Sequence, residues 1–126
     1  MKHVVPLLAS VWAFLMPVHT IIIITLVLIV TDLITGILAA RKRKEPINSA
    51  GIRRTVVKLF VYEAAIVLAF LVETHMHVDI PMIKLLSGFI GITELKSCLE
   101  NLDTINGSSV IKDILSRLGS ANQPKP

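Results

Sequence analysis

The sequence predicts an all-α integral membrane protein. It has three transmembrane helices, an N-terminal interfacial or re-entrant helix and a C-terminal amphipathic helix. Three observations predict this. Residues 4–31 contain no Asp, Glu, Lys or Arg. Hydrophobic residues make up 53% of the 126 positions and charged residues 17%, with a mean hydropathy of +0.73. A soluble domain carries about 25% charged residues, so a chain this apolar is neither a solvated globule nor disordered. Finally, seven of the 13 Lys and Arg lie between Arg41 and Lys58. The net charge of +4 is therefore a local feature of one stretch, not a nucleic-acid-binding face.

Each element follows from the bilayer. A single helix over residues 4–40 would be about 55 Å long, against a hydrocarbon core of about 30 Å. The run must break, and Pro17, followed by His19 and Thr20, is where it breaks. Residues 20–40 are the first span. Residues 4–16 are too short to cross and are expected in the interface or re-entrant, with Trp12 at headgroup depth, in preference to a cramped fourth span. Lys2 before an apolar stretch suggests a signal peptide, but the cleavage-site pattern is poor. Residues 55–72 are the second span. Residues 80–99 are a weaker third, since only nine uncharged positions separate Lys84 from Glu94 and such a helix cannot face lipid all round.

After Glu100, Leu102 and Ile105 continue a helical spacing from Leu95, Cys98 and Leu99. Asn106-Gly107 should break it, Ser108 or Ser109 should cap a new helix over 109–118, and Gly119 should stop that helix. Residues 1–119 thus form a single membrane domain, with 120–126 a disordered tail. The stretch Arg41–Arg54 carries six basic residues and Glu73–Asp79 none. The first should be cytoplasmic and the second outside, so the chain is multi-pass with its C-terminus in the cytoplasm.

Few residues could carry chemistry. Asp32 lies nine positions before Arg41, about 13 Å inside the boundary, where a charge is costly and usually functional. Thr25, Thr35, Gly36 and Ala39 share its face. Two readings stand: a surface used in assembly or pore lining, or a protonated Asp32 bonded to a neighbouring helix. Glu63 sits at the same depth in the second span. Lys58 is close enough to the boundary to snorkel as an interfacial anchor, and Ala65 and Ala69 form a small-xxx-small pair. In the third span Lys84, Ser87, Gly88, Gly91, Glu94 and Cys98 form a polar and small stripe opposite Leu85, Leu86, Phe89, Ile90 and Ile92. Arg41, Lys42, Arg43, Lys44, Arg53 and Arg54 are topology determinants that touch anionic lipid headgroups.

Other matches are weak. His75-Met76-His77 offers two ligands without further partners, and Asn106-Gly107-Ser108 matches a glycosylation acceptor on the wrong side of the membrane. No phosphate loop, nucleophile elbow, HExxH or triad is present. No cofactor, no metal and no enzymatic activity are expected. One cysteine, Cys98, excludes an internal disulfide.

Asp32-Leu33-Ile34-Thr35-Gly36, followed by Ala39-Ala40 and a basic run, resembles the D-x-x-T-G span of phage holin family 4. That family comprises the toxin-secretion and phage-lysis holins related to the clostridial toxin-export holin. Asn48-Ser49, Gly51, Arg53, Arg54 and Lys58 resemble its linker before the second span. Glu94-Leu95-x-Ser97-x-Leu99-Glu100-Asn101 resembles its E-L-x-S-x-x-E-N segment. The resemblance covers about residues 21–118. The chain departs from the pattern at Asn106–Ser109, which lacks a proline, and in its long uncharged N-terminal segment. The resemblance implies a homo-oligomer in the bacterial inner membrane that opens lesions through which an endolysin or toxin passes. An antiholin, another structural membrane partner and a small transporter subunit are the alternatives.

Overall fold

The computed structural model describes residues 3–76 and 78–120, and the expected tail beyond Ser120 lies outside the described residues. Five helices follow one another, with no strand among the described residues: α1 (Val4–Leu15), α2 (His19–Lys42), α3 (Ser49–His75), α4 (Met82–Asn106) and α5 (Val110–Ser120). The chain folds all-α, and α2 and α3 are long and apolar enough to cross a membrane.

α1 is about 18 Å long and none of its residues is buried. It stops before a turn at Met16–Val18 that contains Pro17, where the ring removes a backbone donor. Phe14 packs edge-on against Phe70 at 5.4 Å and lies 6.1 Å from the His75 ring, so the end of α1 rests on the end of α3. α2 buries Thr25, Ile29, Thr35 and Ala39, which fall within one arc of about 120° at 100° per residue, a single helical face. α4 is the main neighbour of this stripe, and α3 closes the bundle against both.

The turns differ from expectation in instructive ways. α3 begins at Ser49, well before residue 55, because the Asn48 side chain caps it by accepting from Gly51 N at 3.0 Å. Arg53 and Arg54 therefore belong to its first turns. The basic stretch shortens to a tight turn in which Lys44 adopts φ 59° and Glu45 N returns to Ala40 O at 2.9 Å, a Schellman-type closure. The fork from Arg43 to Glu45, at 2.8 and 2.9 Å, holds the Glu45 carboxyl below its ordinary range. α4 does not end near residue 99. It continues to Asn106 and stops at Gly107, whose φ of 69° suits a residue without Cβ.

The cap of α5 comes from Asp103, not from Ser108 or Ser109. Its carboxylate accepts from Lys112 N at 2.8 Å and Ile111 N at 3.3 Å. α5 also runs past Gly119 to Ser120. Glu73 acts likewise for α4, accepting from Ile83 N at 2.9 Å. Each carboxylate satisfies orphan donors at the start of the next helix and complements its dipole.

Backbone conformation gives a direct test. Gly107→Ala should cost about 1–2 kcal/mol and Lys44→Gly should gain up to about 1 kcal/mol, because only the second relieves a Cβ in left-handed backbone. Thermal unfolding in mild detergent checks both signs.

Candidate functional site

α2, α3 and α4 each contribute one charged side chain to a single point. The Lys58 ammonium donates to Asp32 Oδ2 at 2.8 Å and to Glu94 Oε2 at 2.6 Å. Asp32 is then held on its other side. The Asn101 amide donates to Asp32 Oδ1 at 3.2 Å and to Thr35 Oγ1 at 3.2 Å, while the Thr35 hydroxyl donates to Thr31 O at 2.9 Å. Burial is graded across the cluster: the side chain of Glu94 is 2% exposed, Asp32 15% and Lys58 26%. Glu94 is thus almost wholly removed from solvent, with the Lys58 ammonium as its counter-charge.

Helical geometry explains the convergence. Asp32, Thr35 and Gly36 lie on the face of α2 that meets α4. Glu94, Cys98 and Asn101 are spaced four and three residues apart, one face of α4. Gly36 lies against Asn101: a Cβ there would sit 3.6 Å from Asn101 Nδ2, an ordinary van der Waals contact. Lys58, expected to snorkel toward the headgroups, instead turns inward, because two carboxylates at its level attract it more strongly than the interface does.

The other sequence-derived candidates separate. Glu63 does not join the cluster, and both of its oxygens are buried with no hydrogen-bond partner among the described residues. A buried polar group left so costs about 1–3 kcal/mol. Ala69 is buried and Ala65 half-buried on the inner side of α3. The polar stripe of α4 is split. Glu94 and Cys98 point inward beside Ile90, Ser87 and Gly91 are half-buried, and Lys84 and Gly88 are exposed. The stripe covers an arc of about 120° at 100° per residue, and the bundle axis passes along one edge of it. Ser87 turns its hydroxyl to Ile83 O at 2.6 Å. Arg41, Lys42, Arg43, Lys44, Arg53 and Arg54 are all exposed at one end of the bundle. Beside them a cavity of about 440 Å³ opens onto the cluster, walled by Asp32, Gly36, Asn48, Arg54, Ser97 and Asn101 among others.

Lys58 and Asn101 were missing from the sequence-derived site. Asn101 was within reach, since it completes the face begun by Glu94 and Cys98. Lys58 was within reach through charge matching, as the only base in α3 past Arg54 that could answer two buried acids.

The cluster makes a prediction about stability. Lys58→Met leaves two carboxylates without their cation and should cost about 3 kcal/mol or more. Adding Asp32→Asn and Glu94→Gln should restore most of that loss, because the orphaned charges go too. A triple variant as unstable as Lys58→Met alone, in detergent melts, counts against the cluster as the tie between helices.

The description that matches this chain is a family model, the bacteriophage holin family, over residues 9–120. No curated protein and no solved structure matches it. The family is a pore-forming, non-enzymatic membrane family. The matched region takes in every residue of the Asp32–Lys58–Glu94 cluster and runs from the middle of α1 to the end of α5, and on that extent the chain belongs to the bacteriophage holin family.

Proposed function

We propose that this protein is a lysis holin: it assembles with its own copies in the inner membrane of the host cell and opens lesions through which an endolysin or a toxin passes. The observation that carries the reading is the imbalance of polar groups inside the bundle. One ammonium faces two carboxylates, and the buried oxygens of Glu63 have no hydrogen-bond partner among the described residues. A membrane anchor needs none of these groups, and each is costly in hydrocarbon. A helix bundle that must stay folded in lipid, yet later line water, has a use for all of them. A pure antiholin would share the bundle but not the opening.

Three spans fit this reading. α4 is too charged to pass as a lipid-facing span by composition, but it lies beside the spanning part of α2, from Cys98 near Leu28 to Asn101 at Thr35. If α2 crosses, α4 lies in the membrane with it. α1 then rests at the outer interface and α5 at the cytoplasmic one, with residues 1–119 one membrane domain. The exposed basic residues at the α2–α3 turn set the cytoplasmic side and meet anionic headgroups.

Expression alone, and with a cytoplasmic endolysin, tests the activity through membrane potential and culture turbidity. Potential should collapse in both cultures and turbidity should fall abruptly with the endolysin. Steady growth in both would point to the antiholin. Asp32→Leu should abolish or mistime lysis, and Asp32→Asn should do less, since it keeps shape and a hydrogen bond to its neighbours.

Topology has its own measurement. Native Cys98 is buried and should be silent to reagents. In Cys98→Ser, a cysteine at Asp79 should label from outside intact spheroplasts, and one at Ser109 only in inverted vesicles. Labelling of position 109 in intact, untriggered spheroplasts would overturn the arrangement.

A further inference from the structure

The outward faces of α2 and α3 are apolar: Ile24, Val27 and Ile34 on the first, Val57, Phe60 and Val61 on the second are all exposed. Lipid suits them. The outward face of α4 is different. At 100° per residue, Leu85, Phe89, Ile92, Lys96 and Glu100 share one stripe within an arc of about 80°. Phe89 is 71% exposed and Ile92 72%. The side chains of Lys96 and Glu100 are 62% and 56% exposed, and their atoms come no closer than 3.9 Å, the longest ion pair among the described residues.

Depth makes this stripe unfit for lipid. α2 and α4 run parallel, and Cys98 lies at Leu28. Asn101 lies at Asp32 and Thr35, so Lys96 is level with the stretch 26–30 of α2, roughly 17–22 Å inside Arg41 at 1.5 Å per residue. Glu100 is a turn nearer the basic end. An exposed ammonium and carboxylate at that depth cannot remain against acyl chains. Gly88, with nothing within 4 Å of where its Cβ would be, leaves room for a close neighbour beside Phe89.

We propose that this stripe of α4 is the contact between copies of the chain, with Lys96 of one copy paired to Glu100 of the next. Copies inserted the same way stand parallel and at one depth. A lysine then reaches a carboxylate one turn along the neighbouring helix, as flanking charges do in parallel coiled coils. Leu85, Phe89 and Ile92 close the seam above the pair. The inference rests on the assembly proposed for the protein and on α4 as its third span.

Single cysteines at Ile92, Val27 and Phe60 in Cys98→Ser, oxidised in native membranes, test the seam. Position 92 should give covalent dimers several-fold more abundantly than positions 27 and 60. More dimer from 27 or 60 overturns the proposal. So does rapid reaction of position 92 with a membrane-impermeant maleimide, which would place the stripe on water.

Charge is tested in the same Ile92→Cys background. Lys96→Glu or Glu100→Lys alone should lower dimer yield several-fold. Co-expressing the two should restore it, because one copy then presents only acids and the other only bases. A pair confined to one chain gains nothing from mixing, so failure to restore, with both proteins in the membrane, overturns the pairing. Lysis is not part of either readout. Dimers without lysis would defeat the pore reading and keep the seam, and lysis without dimers would do the reverse.

Discussion

Lys58 stands where three helices would otherwise have no reason to hold one register. Helices in lipid are not driven together by the hydrophobic effect, because acyl chains are as apolar as the side chains they replace. What remains is close packing and polar pairing. Packing sets the register only coarsely, since apart from Ile29 the buried face of α2 is made of the small side chains Thr25, Thr35 and Ala39. One ammonium bound to Asp32 Oδ2 and Glu94 Oε2 permits only one offset. Asn101 then fastens the same two helices a second time, through Asp32 and Thr35. Cys98 is buried where the two helices meet, beside Leu28.

The ends of the helices obey a related constraint. In or near lipid an unpaired backbone group has no water to turn to. Asn48 caps α3, Glu73 reaches forward to cap α4, and Asp103 caps α5. In the last two cases the carboxylate belongs to the preceding helix, so it caps the next element and fixes the angle at which that element leaves. Buried polar side chains here are almost all tied to a partner. Against that pattern the two bare oxygens of Glu63 are the exception that a second arrangement of the helices would have to answer.

The sequence carried the all-α class and the apolar helices through charge-free length, which is a property of each segment alone. The break at Pro17 and the stop at Asn106-Gly107 were legible for the same reason, since proline and glycine act locally. The start of α3 was not, because Asn48 is a cap only when the chain turns there. The cap of α5 was hidden further: Ser108 and Ser109 are good local candidates, and a carboxylate a turn back in α4 prevails only because Gly107 folds the chain over it. At the site, Asp32 and Glu94 drew attention by their depth. Lys58 did not, because a lysine near a boundary can snorkel, and only the positions of two other helices decide whether it does.

Two acids on one base is an unusual arrangement to keep in a membrane. Buried ion pairs are often replaceable by apolar side chains with no loss of stability, and are retained where they select one arrangement over others. In this bundle the selection has a direction. In the membrane arrangement proposed above, the 2:1 cluster would hold only while Lys58 sits between its partners and water is kept to the cavity at the basic end. Once water reaches the cluster, every carboxylate and the ammonium can be solvated separately, and the tie that fixed the register contributes far less. On the proposed function, the same residues that would order the helices in lipid would favour their separation in a wet environment. A purely apolar core would resist hydration throughout, and a fully matched one would give hydration little to release. An unmatched core would leave the bundle sensitive to the arrival of water, which is the property the proposed lesion-forming function calls for.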